Sequence, residues 1–94
     1  MNPNLAKSVA KLIQSLGKAY QDLTVTNLCV YGTGIHFTLK ALGVNELEID
    51  VSEKTPYVAM LRIENKRLNT IKDGEYNYPD SAFVEIVNSF EEID

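Results

Sequence analysis

The sequence predicts an α+β domain, an antiparallel meander sheet of four to five strands flanked by an N-terminal and a C-terminal helix. Three observations predict it. Glu46-Leu47-Glu48-Ile49-Asp50-Val51 alternates acid and apolar residue for six positions, the period of a strand with one dry face and one wet, negative face. Apolar residues recur at helical spacing near both ends of the chain. Between them, clusters of glycine, asparagine and proline cut the chain into runs of strand length.

Leu5, Val9, Leu12, Ile13, Leu16 and Tyr20 predict a helix from about residue 4 to 19, with Asn2 or Asn4 as its cap and Pro3 in its first turn. Lys7, Lys11, Gln14 and Lys18 fall in one polar stripe opposite the apolar one, and Gly17 weakens or ends the last turn. The run Leu23 to Tyr31 is rich in Val, Thr and Tyr and precedes Gly32-Thr33-Gly34, which reads as a hairpin turn. Ile35 to Lys40 alternates as the next strand, and residues 41–45 turn it into the acidic one. Residues 52–56 form a connection to a strand over 57–64, and Asn65-Lys66 forms a tight turn into a short strand over 67–71 that Asp73-Gly74 stops. Tyr78-Pro79-Asp80-Ser81 starts the second helix, whose apolar stripe is Phe83, Val84, Val87 and Phe90, widened by Ile86 and Ile93.

Parity sets the expected register. Pairing across Gly43 places Lys40 opposite Glu46, Thr38 opposite Glu48 and His36 opposite Asp50, while Leu39, Phe37 and Ile35 meet Leu47, Ile49 and Val51 on the other face. Continued across residues 52–56, the same counting sets Arg62 beside Glu46 and Leu61 beside Leu47. The outer face then also carries Val58 and Met60, with Leu28 and Val30 from the first strand. Leu47, Ile49, Phe37, Leu12, Val87 and Phe90 are the expected core.

Composition narrows the function classes. A chain of 94 residues, 45% hydrophobic and 23% charged, has the size and make-up of one globular domain spanning residues 1–94. No apolar run approaches the length of a membrane span, and the start Met1-Asn2-Pro3-Asn4 lacks a signal-peptide pattern, which predicts a cytoplasmic protein. One cysteine, Cys29, and one histidine, His36, predict neither disulfide nor structural metal, and no cofactor motif occurs. A net charge of -4 disfavours direct contact with nucleic acid. Charge is uneven along the chain: residues 1–20 contain three lysines and no acid, and residues 73–94 contain seven acids and no Lys or Arg.

Candidate chemistry is thin. Glu46, Glu48 and Asp50 have the alternate-strand spacing of about 6.6 Å that a pair of catalytic carboxylates can use, but a flat strand supplies no cleft to separate their pKa values. His36 has Asp50 to orient it, yet a hairpin closed by Gly32-Thr33-Gly34 pairs Cys29 with Phe37 and Val30 with His36, so thiol and imidazole point to opposite faces. Cys29 is therefore expected buried and inert. Gly32-Thr33-Gly34 lies between strands, without the helix terminus a phosphate site needs.

The reading that remains is a small, acidic, non-catalytic interaction module, an adaptor or inhibitor. Its expected contact surface is the outer sheet face, with Glu46, Glu48 and Asp50 around Val58 and Met60, and with Tyr76 and Tyr78 in a loop before the second helix as further contact residues. One alternative is an inhibitor of a nucleic-acid-processing enzyme that copies backbone charge, as the size and acidity of small phage and mobile-element inhibitors suggest. Another is a homo-oligomeric binder of a small, nucleotide-like ligand.

Overall fold

The computed structural model describes residues 3–67, 69–77 and 80–92. Helix α1 spans Pro3–Ala19, and strands β1 (Thr24–Tyr31), β2 (Gly34–Lys40), β3 (Leu47–Thr55), β4 (Val58–Asn65) and β5 (Thr70–Asn77) follow before helix α2 (Asp80–Glu91). The strands form one antiparallel sheet in the order β1-β2-β3-β4-β5. Short connections leave each strand no neighbour to reach except the previous one, which is why a meander results.

The three inner strands build the core by period two. Ile35, Phe37 and Leu39 from β2, Leu47, Ile49 and Val51 from β3, and Ala59, Leu61 and Ile63 from β4 are all buried on one face. The same cluster takes in Leu5, Val9, Leu12 and Leu16 of α1 and Ala82, Ile86 and Phe90 of α2. Among the described residues, neither helix is long and apolar enough to cross a membrane. Ile86 lies at the centre of the buried stripe of α2, with Phe83 and Val87 only partly covered and Val84 exposed. Val84 thus leaves the stripe the sequence assigned to it, because Ala82, Ile86 and Phe90 at i, i+4 and i+8 point the helix face elsewhere. Ile93 and Tyr78 lie outside the described residues.

The C-terminal end of α2 is held by other parts of the chain. Asn45, before β3, donates its backbone N–H to the Phe90 carbonyl (3.1 Å) and its side-chain amide to the carbonyls of Ser89 (3.1 Å) and Glu92 (2.7 Å). These are carbonyls a helix end leaves without an internal partner. Tyr20 packs edge-to-face on Phe90, ring centroids 5.3 Å apart, and donates its hydroxyl to Glu91. That bond to a carboxylate raises the Tyr20 phenol pKa, with burial adding to it. Lys72 of β5 pairs with Glu85 at 3.4 Å.

The β2–β3 register is the expected one, Thr38 with Glu48, His36 with Asp50 and Phe37 with Ile49. The β3–β4 register is not. Arg62 stands opposite Asp50 and Leu61 opposite Val51, because residues 52–55 continue β3 and the turn tightens to Pro56-Tyr57, with the Tyr57 N–H bonded to Thr55 Oγ1 at 3.1 Å. The slip is by an even number of residues, so every side chain keeps its face. Strand β5 starts later than expected and runs through Asp73-Gly74. Asn65 explains the delay: its Oδ1 accepts from the N–H of Arg67 (2.9 Å) and of Asn69 (3.0 Å), which extends the turn.

The largest correction is in β1. Thr26 pairs with Thr38, but Cys29 pairs with His36 and Val30 with Ile35, so Asn27 and Leu28 share one partner position as a bulge. Asn27 takes a left-handed φ of 55°, which asparagine tolerates better than most residues, and its Nδ2 lies 3.3 Å from Thr38 Oγ1. The turn uses two residues, Gly32 and Thr33, with Gly34 already in β2. Cys29 is therefore exposed on the outer face, not buried against Phe37, and Val30 lies opposite inner-face Ile35.

Candidate functional site

The outer face of the sheet can be followed in rows across the strands. One row runs Thr26, Thr38, Glu48, Glu64 and Thr70; the next runs Cys29, His36, Asp50, Arg62 and Asp73; a third runs Tyr31, Gly34, Ser52, Met60 and Glu75. Alternation puts all of these side chains on the side away from the helices.

Asp50 is the hub. Its Oδ1 accepts the Tyr31 hydroxyl at 3.0 Å and meets His36 Nδ1 at 3.1 Å, and Arg62 stands across the ladder. Burial of the phenol, then the bond to the Asp50 carboxylate, push the Tyr31 pKa up to about 12. The ring's position explains the burial: a Cβ placed on Gly34 would lie 3.1 Å from Tyr31 Cζ, 2.9 Å from Ser52 Cβ and 3.0 Å from the Val51 oxygen. Tyrosine can cross β2 here only because residue 34 has no side chain.

Arg62 Nε binds Glu64 at 2.9 Å, Lys40 lies 3.9 Å from Glu46, and Lys54 pairs with Glu75. Most charges on this face therefore have a neighbour of opposite sign. Glu48 differs, because its ladder partner is Glu64, a like charge. Directly opposed like charges lower sheet stability.

Amid these charges the third row is open at Tyr31 and Met60, before it ends on Glu75. Met60 is 48% and Tyr31 44% exposed, with only Gly34 and Ser52 between them, and half-buried Val58, two residues from Met60 on β4, continues the patch. Of the residues the sequence proposed for a contact surface, Glu46, Glu48, Asp50, Val58 and Met60 share this face. Tyr76 does not. It belongs to β5, pairs with buried Ala59 and packs against the core beside Gly74, because the strand that should have ended at Asp73-Gly74 continues to Asn77. Tyr78 lies outside the described residues. Sequence reasoning missed Tyr31, whose face depends on the bulge and the two-residue turn. A glycine at the first turn position is the signal that favours a two-residue hairpin, and it was present at Gly32.

The same bulge places the Cys29 thiol on the face of the His36–Asp50 pair, reversing the expectation that they point apart. His36 Nδ1 is turned to Asp50, and the Cys29 sulfur lies 3.9 Å from the Val30 carbonyl oxygen, on open sheet surface. Among the described residues no group of three or more His, Cys, Asp and Glu side chains is placed to hold a metal ion. A polar groove of about 490 Å³ adjoins the acidic row, lined by Thr24, Thr26, Asn27, Thr38, Lys40 and Glu48 among others. A wider cleft of about 700 Å³ lies at the sheet end, where Lys40, Lys66 and Arg67 surround Val44 and Ile71. Comparisons with protein-family models, curated proteins and solved structures find no match.

Proposed function

We propose that this protein is a non-catalytic interaction module that binds a basic protein partner through its outer sheet face. The observation that carries the reading is the open row of Tyr31 and Met60 set among charges that are already paired with one another. An apolar centre loses water on docking, and a rim whose ion pairs are preformed costs little to bring beside it. Glu48 supports a cationic partner, since it faces the like charge of Glu64, which Arg62 already holds, and a lysine or arginine beside Glu48 relieves that repulsion. A nucleic-acid-processing enzyme, whose phosphate groove is lined with such cations, is the partner class that fits. An exposed unpaired thiol, Cys29, suits a reducing compartment, so we place the protein in the cytoplasm.

The test is a binding titration with the protein that the wild-type chain captures from its host. Met60→Glu is expected to abolish binding, and Glu48→Lys to weaken it and flatten its dependence on salt, because screening acts on the charges lost. Val84→Glu, on α2, should bind as wild type. Loss of binding in the α2 variant with none in the Met60 variant would move the contact off the sheet.

A further inference from the structure

We infer that a second copy of this chain docks along the β1 edge, with β1 pairing antiparallel to β1 of the copy about a two-fold axis at Cys29. The two edges of the sheet differ in a way that calls for this. Strand β5 carries Lys72, Asp73 and Glu75, charges of the kind that keep an edge from pairing with another chain. Strand β1, Thr-Val-Thr-Asn-Leu-Cys-Val-Tyr, carries none. Its outward backbone groups are left without a ladder partner, since β1 is the end strand. In a chain of net charge -4, a copy is repelled by most of the surface and least by this uncharged strand.

Symmetry then matches the side chains. With Cys29 opposite Cys29, Leu28 of each copy stands opposite Val30 of the other, and the match ends at Asn27, whose left-handed φ breaks the strand. Leu28 and Val30 are 61% and 60% exposed in the single chain, more than any other pair of apolar residues two apart on a strand, and the pairing covers each with the other. The bulge at Asn27 and Leu28 interrupts the strand at the end of this segment and keeps the new ladder short. Assembly stops at two, because each copy spends its β1 edge and only charged β5 edges remain. The outer faces of the copies join into one continuous surface that leaves Met60 free on both.

Sedimentation and light scattering from micromolar to millimolar concentration test the inference, with mild diamide oxidation as a second readout. The wild type should pass from one copy to two. Val30→Asp should weaken the dimer by about tenfold or more, the loss expected for a charge forced into a small apolar contact. Val30→Thr, which keeps the β-branched shape, should weaken it less and guards against a folding defect in the aspartate variant. Val84→Asp should leave it unchanged. Diamide accepts two electrons and two protons from the paired thiols, becoming its hydrazine, and should link the copies through Cys29 rapidly in the wild type and slowly in Val30→Asp, where the thiol is equally open but unpaired. Cys29→Ser should keep the non-covalent dimer and lose the link. A wild type that stays single across the range, or a dimer indifferent to both Val30 variants, overturns the inference. So does a single-copy protein whose Val30→Asp variant loses the captured partner, because the edge then serves a foreign strand.

Discussion

Strand β2 and strand β1 lie side by side, are nearly equal in length and follow each other in the chain, yet only one of them is held from both sides. β2 buries Ile35, Phe37 and Leu39 completely or nearly so and has a ladder on each edge, so a slip of one residue would expose all three. β1 has a single ladder and no buried residue, and it absorbs an extra residue at Asn27 with its neighbour's register unchanged. Burial enforces register, and a bulge settles where burial is weakest.

Substitutions can break this contrast. Phe37→Ala should cost about 3 to 5 kcal/mol, a large part of a small domain's stability, measured by denaturant titration. Its bulge neighbour Leu28, mostly exposed, should lose under about 1 kcal/mol on the same truncation. Gly34→Ala comes next, at about 1 to 3 kcal/mol, since Ser52 Cβ and the Val51 oxygen are ladder atoms that cannot move aside. If Gly34→Ala is neutral, Ser52 and Val51 of β3 do not approach residue 34 this closely. Asn27→Val should cost about 1 to 2 kcal/mol because a β-branched residue resists the left-handed φ, whereas Asn27→Gly should be close to neutral. Equal effects of the two would mean that the bulge sits elsewhere.

Tyr31 gives a pH signature. Its phenol pKa rises from 10.0 in the unfolded chain to about 12 in the folded one, so its contribution to stability is whole below pH 10 and is lost as pH climbs toward 12. Tyr20, also raised, adds to the same alkaline limb, so the measurement is the difference between wild type and Tyr31→Phe. That variant should lose stability at neutral pH and lie closer to wild type at the alkaline end. Smallest of all, Glu48→Ala should fall within about 0.5 kcal/mol of zero and on the stabilising side, because it removes a repulsion with Glu64. Asp50→Ala should cost more than Glu48→Ala, since it strands the Tyr31 hydroxyl and the His36 ring.

Both helices, strands β1 to β4 and the β2–β3 register were legible in the residues, the helices and the β2–β3 pair because each is a local period: 3.6 for the stripes of α1 and α2, two for Ile35 to Val51. The acidic and apolar faces of β3 followed from the same alternation, and so did the placement of Glu46, Glu48, Asp50, Val58 and Met60 together. Even the β3–β4 slip left that placement intact, since it preserved parity. Tertiary structure decided what has no period. It chose a two-residue turn with a bulge over a three-residue turn, which moved Cys29 outward and Tyr31 onto Asp50. It carried β5 through Asp73-Gly74, where Tyr76 packs against the core, and it bound Asn45 to the end of α2. Each of these depends on contacts between residues distant in sequence, whose energies no local pattern records, and that is why the sheet could be drawn from the sequence while the arrangement on its outer face could not.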